Sequence, residues 1–341
     1  MQGDFQSDNV AGIHPAIMAA LAAANHGTAT PYGLDDSARA LNDRFSAFFG
    51  AAVTVFPVST GTAANTFALS ACLRPYAGAF CHEGAHLRLS EGNSLAAAGG
   101  GAALIGLPGA LGRIDPAALR EAVAQAPRGN TQKPQPAAVT VTQATERGTV
   151  YSLDALAAIG ACAKENGLLF HMDGARFANA QAWLGCSAPA MTSGIGLDLL
   201  SFGATKNGVM STDALVVFRP ELVEPVAFTL RRAGQTWSKM RFAAAQLQAY
   251  VAGDLHLALA RRANALAARL GEGLSRLPGG ALLAPVEANI VFATLPPAMI
   301  DALQAQGFSF YRRGAGEVRL VCRFDQPEAE ISALLAAAGA A

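Results

Sequence analysis

Two residues in this chain stand where strand-like runs give way to small, polar turns. Lys206 lies in Asp198-Leu199-Leu200-Ser201-Phe202-Gly203-Ala204-Thr205-Lys206-Asn207-Gly208, and Asp173 in Leu168-Leu169-Phe170-His171-Met172-Asp173-Gly174-Ala175-Arg176. A lysine in such a turn can point into a crevice, where its amine forms a Schiff base with an aldehyde cofactor. An aspartate one crossover earlier can keep a pyridine ring nitrogen protonated, which makes the ring an electron sink. A phosphate on the same cofactor needs backbone N–H donors at a helix N-terminus. Ser59-Thr60-Gly61-Thr62-Ala63-Ala64-Asn65, between a buried strand and an apolar helix, supplies them. Each feature alone also has a plain structural use: a solvated lysine, a helix cap, an ordinary turn.

The elements that must position these residues alternate. Strand-like runs at Val53–Val58, Ala138–Thr142, Leu168–Asp173, Leu197–Phe202 and Ala214–Phe218 are separated by helical stretches. Short strands and small-residue turns are expected from Ala79 to Ile105, and a polar loop over residues 127–137. This order predicts an α/β fold with a mostly parallel sheet covered on both faces, its functional groups at the carboxyl ends of the strands. A helix is expected from Pro15 through Ala24, and a second from Asp36 or Ser37 to Phe49. Residues 1–14 read as an extended arm, 15–245 as a large domain and 246–341 as a small C-terminal α+β domain. One or two long helices are expected from Arg241 to Leu277, and strands near Ala288–Phe292 and Val318–Cys322.

Composition narrows the class. The chain has 341 residues, 52% hydrophobic and only 15% charged, with 25 basic and 25 acidic side chains. A zero formal charge gives no electrostatic footprint for nucleic acid or an anionic membrane. The low charge is compatible with surface covered in an oligomer. Five cysteines without a CxxC pair suit a reducing, cytoplasmic setting rather than a disulfide or zinc scaffold. The first residues lack the regions of a signal peptide, and the apolar stretch Leu95–Leu111 is too short and Gly-rich to span a bilayer.

Taken in order and spacing, the segments around Gly61, Asp173 and Lys206 resemble the pyridoxal-phosphate-dependent L-threonine aldolases, enzymes of the aspartate-aminotransferase fold (fold type I). The likeness runs from Ser7-Asp8-Asn9 to Val318-Arg319-Leu320-Val321-Cys322. It implies Lys206 as the Schiff-base lysine, Asp173 as the ring-nitrogen partner and His86 as the histidine stacked on the ring. It implies Gly61, Thr62 and Thr205 around the phosphate, with Arg241 a looser match. Arg176, Arg319 and Ser7 would meet the substrate carboxylate, and Tyr32 would reach the site from a neighbouring subunit of a homodimer or homotetramer. No metal is implied. The activity implied is retro-aldol cleavage of L-threonine, L-allo-threonine or phenylserine to glycine and an aldehyde. A transaldolase, a β-eliminating lyase, an aminotransferase or a non-catalytic cofactor-binding protein are the alternatives.

One departure stands out. Where many relatives carry a histidine near the substrate hydroxyl, this chain has Glu146, in Gln143-Ala144-Thr145-Glu146. On chemistry alone His86 with a water, Glu146 or Glu91 could take the β-hydroxyl proton. His14, His26, His82 and His256 are expected to be structural, Trp183 and Trp237 core or interface, and Arg231-Arg232 a solvated patch.

Overall fold

The computed structural model describes residues 2–340. Strand β1 (Gly3–Asp4) opens the chain, and a seven-stranded sheet follows from β2 (Thr54–Val58), β3 (Ala77–His82), β4 (Ala103–Leu107), β5 (Gln135–Thr142), β6 (Leu169–Gly174), β7 (Leu199–Phe202) and β8 (Asp213–Val217). Their spatial order is β2-β8-β7-β6-β5-β3-β4. Only β8 runs against its neighbours; the remaining pairings are parallel. Every residue of β7 and β8 is buried, without alternation, as expected of strands covered by helices on both faces. In register, Thr142 stands beside Asp173, and Asp173 beside Ser201. The carboxyl ends of β5, β6 and β7 are therefore level, and the segments that follow them converge.

The C-terminal part holds β9 (Ala281–Leu282), β10 (Ile290–Thr294), β11 (Phe308–Ser309), β12 (Tyr311–Arg313) and β13 (Glu317–Val321). Four of them form an antiparallel sheet in the order β12-β13-β10-β9, while β11 pairs in parallel with β1. That pairing ties the N-terminal arm down. Phe5 is fully buried in a core shared with Leu270, Val291, Ile300, Leu320 and Leu334, and Arg323 Nη1 donates to the Asp4 carbonyl at 2.9 Å. Helix Met240–Val251 crosses the expected division at residue 245 and packs Ala244, Leu247, Tyr250 and Val251 into the core of the large sheet.

Several expectations need adjusting. The second helix, Asp36–Phe49, is capped by Asp35, whose Oδ1 accepts the Ala38 N–H at 2.9 Å. The stretch from 79 to 105 contains two short helices, His86–Leu89 and Ser94–Ala98, too brief to leave a helical period in the sequence. Gln135, Pro136 and Ala137 leave the expected loop and join β5. The arm is not extended throughout: Asp8–Val10 make a 3₁₀ turn capped by the Ser7 hydroxyl. Helix Val223–Arg232 was not anticipated; Arg231 and Arg232 form its exposed last turn.

Candidate active site

A cavity of about 840 Å³ opens at the carboxyl ends of β5, β6 and β7. Ser7, Gly61, Thr62, His86, Asp173, Arg176, Thr205, Lys206 and Arg319 all line it, so nine of the eleven expected site residues converge within one chain. Tyr32 does not. It is 47% exposed, its φ is +62°, and the Arg231 guanidinium lies 4.8 Å from its ring centroid. Arg241 is also outside the cavity, donating to the His26 carbonyl at 3.1 Å.

Lys206 sits in the turn after β7, in a 3₁₀ segment Thr205–Asn207. Burial, with the neighbouring Arg176 guanidinium, pulls its ammonium below the ordinary lysine range, although Asp8, Asp173 and Asp213 act in the other direction. Among the described residues it makes no ion pair within 4.0 Å. A half-buried, unpaired lysine of lowered basicity offers more free amine, the form that attacks a carbonyl.

Asp173 is the last residue but one of β6 and is 4% exposed. Its Oδ1 accepts the Ala175 N–H at 3.0 Å and its Oδ2 the Asn65 Nδ2–H at 2.8 Å. Below it, His171 is fully buried and bonded at both nitrogens, to the Thr140 and Ser201 hydroxyls. Burial pushes that imidazole down to about 4, so it is neutral structure rather than a proton carrier.

The phosphate end is built from two turns. Thr60 caps helix Gly61–Ser70, its hydroxyl accepting the Ala63 N–H at 3.0 Å. The Gly61 and Thr62 N–H groups are in the first turn and have no intrahelical acceptor. Asp213, at the start of β8, accepts the N–H groups of Ala204 and Thr205 at 2.8 and 3.0 Å. Its Oδ2 lies 3.7 Å from where a Cβ on Gly61 would stand, so the two turns are adjacent. The Thr205 Oγ1 is buried without a partner. Free first-turn donors and an orphaned hydroxyl on one wall fit a phosphate, and a half-buried lysine and a buried aspartate beyond them fit the rest of pyridoxal phosphate.

At the opposite wall, Arg176 spends its fork on Asp8, with Nε to Oδ2 at 2.8 Å and Nη2 to Oδ1 at 3.0 Å. Asn289 donates to the same carboxylate at 3.0 Å. Arg319, on β13, makes only a 3.3 Å bond to the Gln6 carbonyl, and burial with the nearby Arg176 charge pushes it down to about 10. Arg176 keeps its Nη1 donors beyond the Asp8 pair, and Arg319 has almost its whole guanidinium free, so both line the cavity with unspent donors. Ser7 caps its own turn at the rim.

Over the cavity, His86 begins its short helix. Its Nδ1 lies 2.8 Å from Glu91 Oε1, and its main-chain N–H donates to Glu146 Oε1 at 2.7 Å. The Thr142 hydroxyl donates to the same Glu146 oxygen at 2.8 Å, while Oε2 has no partner. Of the other histidines, His82 also lines the cavity, bonded to Gly84 and Gly109; His14 caps a helix, His26 is exposed, and His256 is buried among Phe48 and Tyr250. Trp183 is 51% exposed and Trp237 partly so; neither is core. All five cysteines are free thiols.

The residues missed by sequence reading are Asp8, Asn65 and Asp213. Asp8 and Asn65 lie inside segments that were singled out, but their neighbours drew the chemistry. Asp213 opens a strand with nothing local to distinguish it.

The beta-eliminating lyase family model matches residues 4–296. The low-specificity L-threonine aldolase of Pseudomonas aeruginosa is 41% identical over 322 residues, covering 94% of this chain and 92% of the relative. That of a Pseudomonas species is 39% identical over 333 residues, covering 97% and 96%. The chain belongs to the beta-eliminating lyase family, among its L-threonine aldolases. The solved threonine aldolase of Leishmania major superposes with a TM-score of 0.92 at 25% identity, covering 98% of each chain. The architecture is that of fold-type-I enzymes, a mostly parallel sheet with a smaller antiparallel one, as expected from the sequence. No helix among the described residues is long and apolar enough to cross a membrane.

Proposed function

We propose that this lyase binds pyridoxal phosphate and cleaves L-threonine and related L-β-hydroxy-α-amino acids to glycine and an aldehyde. The observation that carries the reading is one cavity holding a half-buried lysine of lowered basicity, a buried aspartate and a helix N-terminus with free donors. Lys206 anchors the cofactor aldehyde, Asp173 holds the ring nitrogen protonated, and Gly61, Thr62 and Thr205 take the phosphate. When bound, the cofactor supplies the sink for the electron pair released as the substrate Cα–Cβ bond breaks.

Arg319 takes the substrate carboxylate with its unspent donors, and Arg176, held by Asp8, fixes the charge beside it. A guanidinium fork grips a planar carboxylate in one orientation, which aligns the scissile bond. His86 stacks over the ring and takes the β-hydroxyl proton at Nε2, the nitrogen not engaged by Glu91. The chain acts in the cytoplasm as a homodimer or homotetramer, and Tyr32, exposed and outside its own cavity, reaches the cavity of a neighbouring subunit.

Lys206→Ala is expected to remove the near-visible absorption band of lysine-bound pyridoxal phosphate together with glycine release from threonine and phenylserine. Retention of both would sink the assignment. Assaying a keto-acid acceptor alongside separates an aldolase from an aminotransferase.

A further inference from the structure

Behind His86 lies a buried polar chain that reaches the far side of the cavity. The imidazole is 46% exposed toward the cavity, while the Glu91 side chain behind it is only 1% exposed. Glu91 Oε1 also accepts from Asn65 Nδ2 at 2.9 Å. The same Asn65 nitrogen donates its second hydrogen to Asp173 Oδ2 at 2.8 Å. Both partners are carboxylates, so the amide must present its NH₂ to them, and its Oδ1 is left buried without a donor. Asn65 lies one turn into the helix that starts at Gly61. One helix thus offers its first-turn donors to the phosphate wall and a side-chain strut to the wall behind His86. A buried amide with one unsatisfied atom is costly, and it is held here by two charged acceptors.

We propose that Glu91 is a positioning residue for His86: its Oε1 receives the Nδ1 proton, fixing the tautomer that leaves the Nε2 lone pair toward the substrate, and Asn65 locks Glu91 in place against Asp173. The hydrogen bond on one ring nitrogen decides which nitrogen carries the proton. A carboxylate there also makes the imidazole a stronger base. The inference rests on the reading that His86 takes the β-hydroxyl proton.

The carboxylates around His86 act together on its imidazole. The Glu91 hydrogen bond raises the imidazole above its ordinary range, against partial burial, which lowers it. The Glu91 and Asp173 charges add to the rise, and Lys206 opposes it. Glu146 meets the His86 main chain rather than its ring.

The test is ¹⁵N-histidine NMR of the holoenzyme, with His86 assigned by its loss in His86→Gln, read beside pH profiles of kcat/KM. Wild type is expected to show a neutral imidazole protonated at Nδ1. Glu91→Gln should lower the His86 titration by about one unit or more. It should also move the acid limb of kcat/KM to lower pH and reduce the plateau of kcat roughly 10- to 100-fold. Glu91→Asp, which keeps the charge, should restore most of the titration. An Nε2-protonated His86 in wild type, or a titration unmoved in Glu91→Gln, overturns the proposal. A moved titration with unchanged kinetics upholds the positioning by Glu91 and rejects His86 as the proton acceptor, so the two failures are distinguishable.

Discussion

Arg176 faces Asp8 across a two-point bond of 2.8 and 3.0 Å, and Asp8 is 1% exposed. The N-terminal arm therefore backs the cavity-lining Arg176 with a buried carboxylate, besides lining the cavity through Ser7 and Asn9. Burial alone would raise that carboxyl. The Arg176 and Lys206 charges, with hydrogen bonds from Arg176 and Asn289, outweigh it and hold the group below its usual value. Asp8→Asn leaves Arg176 without its counter-charge. The expected loss is about 3–5 kcal/mol of unfolding free energy at neutral pH, read by urea denaturation. A folded-state value below the unfolded one, about 3.9, means the contribution is present above that pH and fades as pH falls through the depressed value. The stability gap between wild type and Asp8→Asn should narrow below about pH 4. A gap independent of pH there would show that the two residues are not an ion pair.

The Thr205 hydroxyl gives a test with opposite signs in two measurements. Its Oγ1 is buried and unpartnered, so in the cofactor-free protein it contributes nothing and costs desolvation. Thr205→Val keeps the shape and removes the hydroxyl. The apoprotein should be as stable as wild type or up to about 1 kcal/mol more stable. Pyridoxal phosphate, by contrast, should bind roughly tenfold more weakly, since one hydrogen bond to a charged group is lost. Equal loss of stability and affinity would mean the hydroxyl supports the turn itself.

The sheet and the cavity's position were legible because the strands are short apolar runs bounded by turn residues, and because Asp173 lies at the end of β6 and Lys206 in the turn after β7. The carboxyl ends of β6 and β7 could lead nowhere but one crevice. What stayed hidden was partnership at long sequence separation. Asp8 finds Arg176 168 residues away, and Asn65 finds Asp173 108 residues away. No periodicity records either pairing. Arg176 and Arg319 thus read as equivalent carboxylate clamps, although Arg176 commits two of its five donors to Asp8. Tyr32 was assigned to a neighbouring subunit by likeness alone; its exposure within its own chain is compatible with that role. The short helix bearing His86 escaped notice because one turn carries no period.

Glu146 stands where the family resemblance leads one to expect a histidine, and its geometry separates structure from chemistry. Its Oε1 is occupied by the His86 N–H and the Thr142 hydroxyl, and its Oε2 is buried without a partner. Burial raises its carboxyl above the ordinary glutamate range, against those hydrogen bonds, and the Asp173 charge adds to the rise. A folded-state value above the unfolded one makes ionised Glu146 a liability. Stability attributable to this group falls as pH climbs from about 4.3, the unfolded value, to the raised folded value, and is level beyond it. Glu146→Gln keeps an oxygen for both donors and removes the charge. The variant should gain on wild type across that pH interval and hold the gain at neutral pH, in thermal or urea unfolding. If Glu146 merely props the His86 main chain, kcat should fall less than in Glu91→Gln, with the acid limb of kcat/KM where wild type has it. A loss of kcat on the order of 100-fold or more, with no change in stability, would instead make Glu146 the group that takes the β-hydroxyl proton.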